Sequence, residues 1–155
     1  MPEGCGISPG ILSNIAQTIK ELFVAGQPIT PASKPFALES LALNERALQL
    51  DPQDAEVYSN MAGVLVGLGR VQEAEAAYRR GLALKPASGG ISINFANLLI
   101  QSHRPQEAEN IVCGALIHAP DNFILIATLG LCLMEQQKLE ESVGLFQRSL
   151  QLHPL

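Results

Sequence analysis

The sequence repeats itself with a period of 34 residues, and this period restricts the fold more than any other feature. Each step of 34 leads from a small residue to a small one, from a large apolar residue to another, and from proline to proline. Ser92 breaks the pattern, because a bulky residue is due there. The three aligned copies are Tyr58, Met61, Ala62, Leu65, Ala74, Tyr78, Gly81, Leu82 and Pro86; Ser92, Phe95, Ala96, Leu99, Ala108, Val112, Ala115, Leu116 and Pro120; and Ile126, Leu129, Gly130, Leu133, Ser142, Phe146, Ser149, Leu150 and Pro154.

Each copy predicts two helices that pack against each other as a hairpin. Ala62 and Ala74 are small, which lets the two helix backbones approach closely. Tyr78 is large enough to fill the space between one hairpin and its neighbour. Pro86 ends the second helix, because proline lacks a backbone N–H. No hairpin of this kind buries its own apolar face, so neighbouring hairpins are expected to stack.

The period and the pattern resemble the tetratricopeptide repeat (TPR) family. Its signature, W-x2-L-G-x2-Y followed by A-x3-F and then P, corresponds here to Tyr58-x2-Met61-Ala62-x2-Leu65, Ala74-x3-Tyr78 and Pro86. The resemblance covers residues 54–155 and implies an all-α, TPR-type α-solenoid, a right-handed superhelix of antiparallel helical hairpins with about four repeats. Three of these repeats are expected at about 55–88, 89–122 and 123–155 within the segment 53–155.

The N-terminal third predicts a less regular first hairpin. Residues 1–9 are expected to form a tail, and residues 10–52 an atypical TPR hairpin with an extended, proline-containing loop at 27–35. Its second helix keeps the repeat phase, but Asn44 replaces the aromatic residue, so packing there should differ. An unrelated helix packed on the array is the alternative explanation for the first helix, whose apolar stripe comprises Ile11, Ile15, Ile19, Leu22 and Phe23.

Composition and charge exclude several classes of partner. The net charge is −5 and the single adjacent basic pair is Arg79-Arg80, whereas nucleic acid needs a clustered basic face. The most apolar run, residues 123–134, is 12 residues long, shorter than the about 20 that cross a bilayer. The start of the chain has no signal-peptide pattern. Cys5, Cys113 and Cys132 form no CxxC pair, which predicts a cytoplasmic protein with the last two as small core residues.

No pattern in the sequence indicates catalysis or metal binding. His103, His118 and His153 lack the i, i+4 spacing to another histidine or cysteine that a metal site requires. There is no GxSxG motif, no glycine-rich phosphate loop and no pair of carboxylates in an apolar segment. We therefore expect no enzyme activity, no metal and no cofactor, and a function in binding.

The TPR resemblance implies a binding site on the first helix of each hairpin, which lines a concave groove. The expected partner-binding residues are Asn60, Ile93, Asn94, Asn97, Ile100, Thr128, Leu131 and Met134. In one interpretation Asn60, Asn94 and Thr128 form a short ladder that hydrogen-bonds the backbone of an extended peptide. In the other, the apolar members form a trough for an amphipathic helix.

TPR domains that grip acidic chaperone tails carry lysine and arginine along this groove, and this chain does not. The matching positions hold Ser59, Gly90, Ile93 and Asn94. An acidic tail is therefore not the expected ligand, and the predicted function is a protein–protein interaction scaffold that binds a peptide or helix of a partner protein. The alternatives are the substrate-docking region of a larger enzyme, such as a glycosyltransferase or oxygenase, and a self-associating structural module.

The last predicted helix raises the question of self-association. Four apolar residues would have no following hairpin to cover them, namely Leu145, Phe146, Leu150 and Leu152. A fragment of a longer repeat protein and a homo-oligomer that forms through the C-terminal repeat explain this pattern equally well.

Overall fold

The computed structural model describes residues 29–154, and this part of the chain forms seven α-helices and no β-strand. The predicted all-α fold class is thus confirmed for these residues. The expected tail at 1–9 and the expected first helix of the atypical hairpin, with its stripe from Ile11 to Phe23, lie outside the described residues. The helices are α1 (Lys34–Leu50), α2 (Ala55–Gly67), α3 (Val71–Leu84), α4 (Gly89–Gln101), α5 (Pro105–His118), α6 (Phe123–Glu135) and α7 (Leu139–Leu152).

The helix boundaries recur with the same 34-residue period as the sequence. The starts of α2, α4 and α6 are separated by 34 residues each, as are those of α3, α5 and α7. The residues Asp54, Ser88 and Asn122 have extended backbones and cap the first helix of each hairpin. Their side-chain oxygens accept hydrogen bonds of 3.0–3.3 Å from backbone N–H groups in the first turn of the helix. These N–H groups have no acceptor inside the helix, so the caps satisfy them.

The turn within each hairpin requires one residue with a positive φ angle. This residue is Gly69 (φ 75°), His103 (φ 58°) and Gln137 (φ 63°) in the three copies, again 34 residues apart. His103 thus lies in the turn between α4 and α5. Because an L-residue in this region crowds its own backbone, glycine suits the position best.

Replacing Gly69 with alanine is expected to destabilise the fold by about 1 kcal/mol, because alanine must adopt the left-handed conformation. Gly114 provides the matched control, since it lies inside α5 with nothing within 4 Å of an added Cβ atom. There the same replacement is expected to stabilise the fold by about 0.5–1 kcal/mol through helix propensity. Urea unfolding followed by circular dichroism measures both changes. Shifts of the same sign would contradict the turn argument.

The chain divides after Leu84 into two compact units. In the first unit α2 packs against both α1 and α3, and the core contains Leu41, Val57 and Leu65. In the second unit α5 contacts α4 and α6, α6 contacts α7, and α4 also packs against α6. The largest buried side chains of the second unit are those of Phe95, Ile91, Leu99, Leu125 and Ile126.

Small residues occupy the contact between the two helices of each hairpin. Ala62 and Ala74 are fully buried in the first unit. In the last hairpin the Ser142 hydroxyl donates a hydrogen bond to the Gly130 carbonyl at 2.8 Å, so α6 and α7 approach closely at these equivalent positions. Packing of Asn44 differs from that of the aromatic copies as expected, because its buried amide donates to the Ser40 carbonyl at 2.9 Å.

Candidate protein-binding surface

An exposed apolar stripe runs along α6 in the second unit. Ile124, Leu131 and Met134 are 46%, 37% and 39% exposed, and Ala127 lies half-buried between them. The spacing of these residues is three, four and three, which places them on one face of the helix. The opposite face is buried through Leu125, Ile126, Cys132 and Leu133. Water therefore contacts large apolar side chains that the fold does not need for its core.

Helix α4 packs against α6 and extends this surface. At the repeat-equivalent positions Ile93 and Ile100 are half-buried, and Asn97 is exposed, with exposed Asn94 beside them. Because the two helices have equivalent positions in successive hairpins, these side chains and those of the α6 stripe point to the same side. We call the surface formed by Ile93, Asn94, Asn97, Ile100, Ile124, Leu131 and Met134 the α4–α6 face.

The α4–α6 face is nearly uncharged. Neither α4 nor α6 contains a lysine or an arginine, and the one charged residue of the two helices is Glu135 at the end of α6. What the surface offers chemically is apolar contact from α6 together with the amide donors and acceptors of Asn94 and Asn97. It has no cation that could hold a carboxylate or a phosphate.

Two of the three residues of the expected ladder, Asn60 and Thr128, do not join Asn94 in a continuous row on the second unit. Thr128 is 4% exposed, and its hydroxyl donates to the Ile124 carbonyl at 2.8 Å. A threonine hydroxyl in a helix commonly bonds the carbonyl four residues earlier, so this side chain is turned toward its own backbone. Asn60 lies on α2, in the first unit, where it is half-buried. Asn94 is the ladder residue that the α4–α6 face presents.

The last helix, α7, exposes more apolar side chains than the sequence pattern predicted. Leu150 and Leu152 are 52% and 42% exposed, whereas Leu145 and Phe146 are half-buried. Two further residues were missed, namely Leu139 at 55% and Val143 at 53%. The spacing of Leu139, Val143, Phe146 and Leu150 in steps of four, three and four was the sequence signal that could have identified them.

The first unit contains an open cavity of about 330 Å³ between α1, α2 and α3 that the sequence did not predict. Its lining includes Leu41, Met61 and Leu65, with Arg70 and Glu73 at the edge. The Arg70 guanidinium donates two hydrogen bonds to the Glu73 carboxylate at 2.7 and 2.6 Å, which lowers the pKa of Glu73 and raises that of Arg70. This ion pair satisfies both charges without a ligand.

The two cysteines of the second unit differ in environment. Cys132 is fully buried, as expected, and burial raises the pKa of its thiol to about 11. Cys113 was expected in the core but is exposed. Partial desolvation of the Cys113 thiol and the nearby Glu109 carboxylate raise the pKa of this thiol as well. Both thiols therefore stay protonated at neutral pH, which makes them poor nucleophiles and poor metal ligands.

Residues 29–154 contain no group of three histidine, cysteine, aspartate or glutamate side chains placed to hold a metal ion. Within the same residues, every helix is too short or too polar to span a membrane. His153 stacks on the ring of Phe123 with 4.4 Å between ring centroids, so it contributes to packing. The expectation that the chain has no catalytic residue stays a prediction.

Six of the seven helices that residues 29–154 form are paired in three hairpins with a 34-residue period, capped and turned at equivalent positions. This arrangement defines a protein of the TPR class. Within this class, residues 31–154 match the family model described as the cytochrome c-type biogenesis protein H TPR domain. The chain belongs to this family. Curated protein sequences contain no significant match to it.

Solved structures of TPR proteins share the fold. MamA (residues 41–end) from Desulfovibrio magneticus RS-1 superimposes with a TM-score of 0.73 at 20% identity, over 96% of this chain and 77% of that protein. YrrB, described as a TPR protein with an unusual peptide-binding site, gives 0.69 at 19% identity, over 93% and 68%. The first TPR domain of Spaghetti (RPAP3), bound to the HSP90 peptide SRMEEVD, gives 0.62 at 24% identity, over 67% and 82%.

Proposed function

We propose that this chain is a protein–protein interaction module that binds an amphipathic helix of a partner protein on the α4–α6 face. The observation that carries the proposal is the stripe of Ile124, Leu131 and Met134, which is exposed although the opposite face of α6 is buried. Contiguous exposed apolar side chains are typical of interaction sites. The partner helix would contribute apolar residues at i, i+3, i+4 and i+7.

The exposure of individual residues favours an apolar trough over a ladder that grips a peptide backbone. Three large apolar side chains of α6 are free to contact a ligand, whereas Thr128 already donates its hydroxyl to the Ile124 carbonyl. Asn94 and Asn97 then serve as polar groups at the edge of the trough. Such groups fix the position and direction of a bound helix more than they add affinity.

The structural neighbours and the family support binding of a polypeptide and indicate its context. YrrB and RPAP3 are TPR proteins with peptide-binding sites. An acidic peptide such as the one bound to RPAP3 is a poor ligand for this chain, because α4 and α6 contain no lysine or arginine. The family is named for the biogenesis of c-type cytochromes, so we propose that the partner is a protein of this process. Docking within a larger enzyme and a cytoplasmic location stay predictions.

Replacing Leu131 with aspartate is expected to weaken binding of a helical ligand at least about 10-fold, which corresponds to about 1.4 kcal/mol. The probe is a fluorescein-labelled, neutral amphipathic peptide with leucine at i, i+3, i+4 and i+7, and fluorescence anisotropy gives the Kd. Asn94→Ala should change the Kd by less than about 3-fold, since edge contacts contribute little. Ile117→Asp is the matched control, because Ile117 is 80% exposed on α5 and lies outside the face.

The peptide SRMEEVD and a polar, extended peptide complete the probe set. Tighter binding of either one than of the amphipathic peptide would reject the apolar trough. Equal affinities of the Leu131→Asp and Ile117→Asp variants would show that binding occurs elsewhere, and absence of binding by the unmodified protein would reject the proposal.

A further inference from the structure

One hydrogen bond between α5 and α6 indicates which of their residues face each other. The side-chain amide of Gln136, the residue that caps the end of α6, donates to the Glu109 carboxylate on α5 at 2.6 Å. The two helices pack together and are joined by the short segment 119–122, so they run antiparallel. One turn forward from Glu109 along α5 is Cys113, and one turn back from Gln136 along α6 is Cys132. The register therefore places the two cysteines opposite each other.

The electrostatics of the two thiols agree with this register. Burial is the main cause of the raised pKa of the Cys132 thiol, and the Glu109 carboxylate and the Cys113 thiol add to it. The same Glu109 carboxylate raises the pKa of the Cys113 thiol. Charged groups act on a pKa in this way from a short distance. Glu109, Cys113 and Cys132 are thus neighbours at the contact between α5 and α6.

The packing distance of helices is compatible with a covalent bond between facing cysteines. Axes of packed helices lie about 8–10 Å apart, and each Cα atom lies about 2.3 Å from its axis, so facing Cα atoms are separated by about 4–6 Å. A disulfide requires Cα atoms about 4.4–6.8 Å apart. Cys113 is exposed and so lies at the edge of the contact, which places the pair toward the upper end of this range.

The two thiols differ in their access to solvent. Cys113 is exposed, so a dissolved oxidant reaches its sulfur, whereas Cys132 is fully buried and is shielded from such a molecule. An exposed thiol that reacts first and a second thiol beside it that resolves the product are the two parts that disulfide exchange needs. The structure supplies both parts on adjacent helices.

We propose that Cys113 and Cys132 are a redox-active pair that forms a disulfide between α5 and α6 by exchange with a low-molecular-weight disulfide, such as oxidised glutathione. The Cys113 sulfur attacks one sulfur of oxidised glutathione, whose S–S bond breaks and releases one glutathione. The Cys132 sulfur then attacks the Cys113 sulfur of this mixed disulfide and displaces the second glutathione. The protein loses two electrons and two protons, and the two released glutathione molecules carry them as thiols.

The disulfide would close the segment 113–132 and hold α6 against α5. Its formation is expected to be slow at neutral pH, because both thiols are mainly protonated and the thiolate is the form that attacks. The proposal uses no residue of the α4–α6 face, so it can fail or succeed independently of the proposed binding function.

Oxidation of the folded chain in glutathione buffers tests the pair. A Cys5→Ser chain keeps only these two thiols; iodoacetamide then caps free thiols, and the intact mass counts them. Oxidising buffers should yield monomers with no capped thiol and no bound glutathione. The matched control combines Cys113→Ser with Ile117→Cys, which keeps one exposed and one buried thiol but moves the exposed one about 6 Å along α5. Its equilibrium constant for an internal disulfide should be at least about 10-fold lower.

Stability gives a second measurement. The urea midpoint of the oxidised chain should rise by about 1–2 M over that of the reduced chain, because the disulfide restricts the unfolded state. Two capped thiols at every glutathione ratio, glutathione bound to Cys113 beside a free Cys132, or equal equilibrium constants for the chain and its control would overturn the proposal. A midpoint that does not rise on oxidation would show that the bond forces α5 and α6 apart, which contradicts the facing arrangement.

Discussion

Replacing Phe95 with alanine is expected to lower the free energy of unfolding by about 3–5 kcal/mol. The Phe95 side chain is 1% exposed and is the largest of the fully buried side chains among the described residues. Its removal loses the transfer free energy of the ring and leaves a cavity that rigid helices fill only in part. Since the net stability of a small domain is about 5–15 kcal/mol, this one change would remove a large share of it.

Urea unfolding followed by circular dichroism at 222 nm measures the effect of the Phe95 replacement. Ile117→Ala is the control, because Ile117 also is a large apolar residue but is 80% exposed on α5. This change should alter stability by no more than about 0.5 kcal/mol. A loss below about 1 kcal/mol for Phe95→Ala would mean that its ring is not packed as the structure describes.

The second large effect is expected at Gly130, where α6 meets α7. A Cβ atom added at Gly130 would lie 2.8 Å from Cε1 of the Phe146 ring, which is closer than carbon atoms pack. Either the ring or the helices must move, and Gly130→Ala should therefore cost about 1–3 kcal/mol in spite of the higher helix propensity of alanine. Gly144→Ala on α7 is the control, because nothing lies within 4 Å of its added Cβ atom.

A second substitution should rescue the Gly130 variant. The preceding hairpin has Ala96 and Val112 at the positions of Gly130 and Phe146, so Phe146→Val restores a pair that this fold already contains. In a double-mutant cycle the combined variant should be more stable than the sum of the single changes predicts, by about 1 kcal/mol or more. Unfolding is measured at low protein concentration so that association does not contribute. Additive effects would show that the ring is not the obstacle.

Local structure was largely predictable from the sequence, because it depends on residues that lie close together in the chain. Asp54, Ser88 and Asn122 are side chains that cap helices wherever they precede an apolar segment. The 34-residue period then carries each feature to the next copy, including the turn residue His103. The shared positions of small residues likewise anticipated the close approach of α6 to α7 at Ser142.

The candidate site was predictable only in part. The exposure of Leu131 and Met134 was predictable, because their spacing places them on the face of α6 opposite its buried face. Thr128 shares the repeat position of Asn94, yet its shorter side chain bonds the backbone of its own helix, which a comparison of aligned copies does not reveal. Cys113 was placed in the core on its residue type alone, although its side of α5 is exposed.

The sequence by itself determined the type of fold and the approximate bounds of the helices within residues 53–154. The period repeats each feature from copy to copy, and capping and turn preference act within a few residues. The tertiary structure decided which apolar side chains remain in contact with water. Val112 and Phe146 occupy the same position of the repeat, but the first is fully buried and the second is half-buried. The difference arises because burial depends on a second helix that packs from outside the hairpin, and α6 provides that helix for α5.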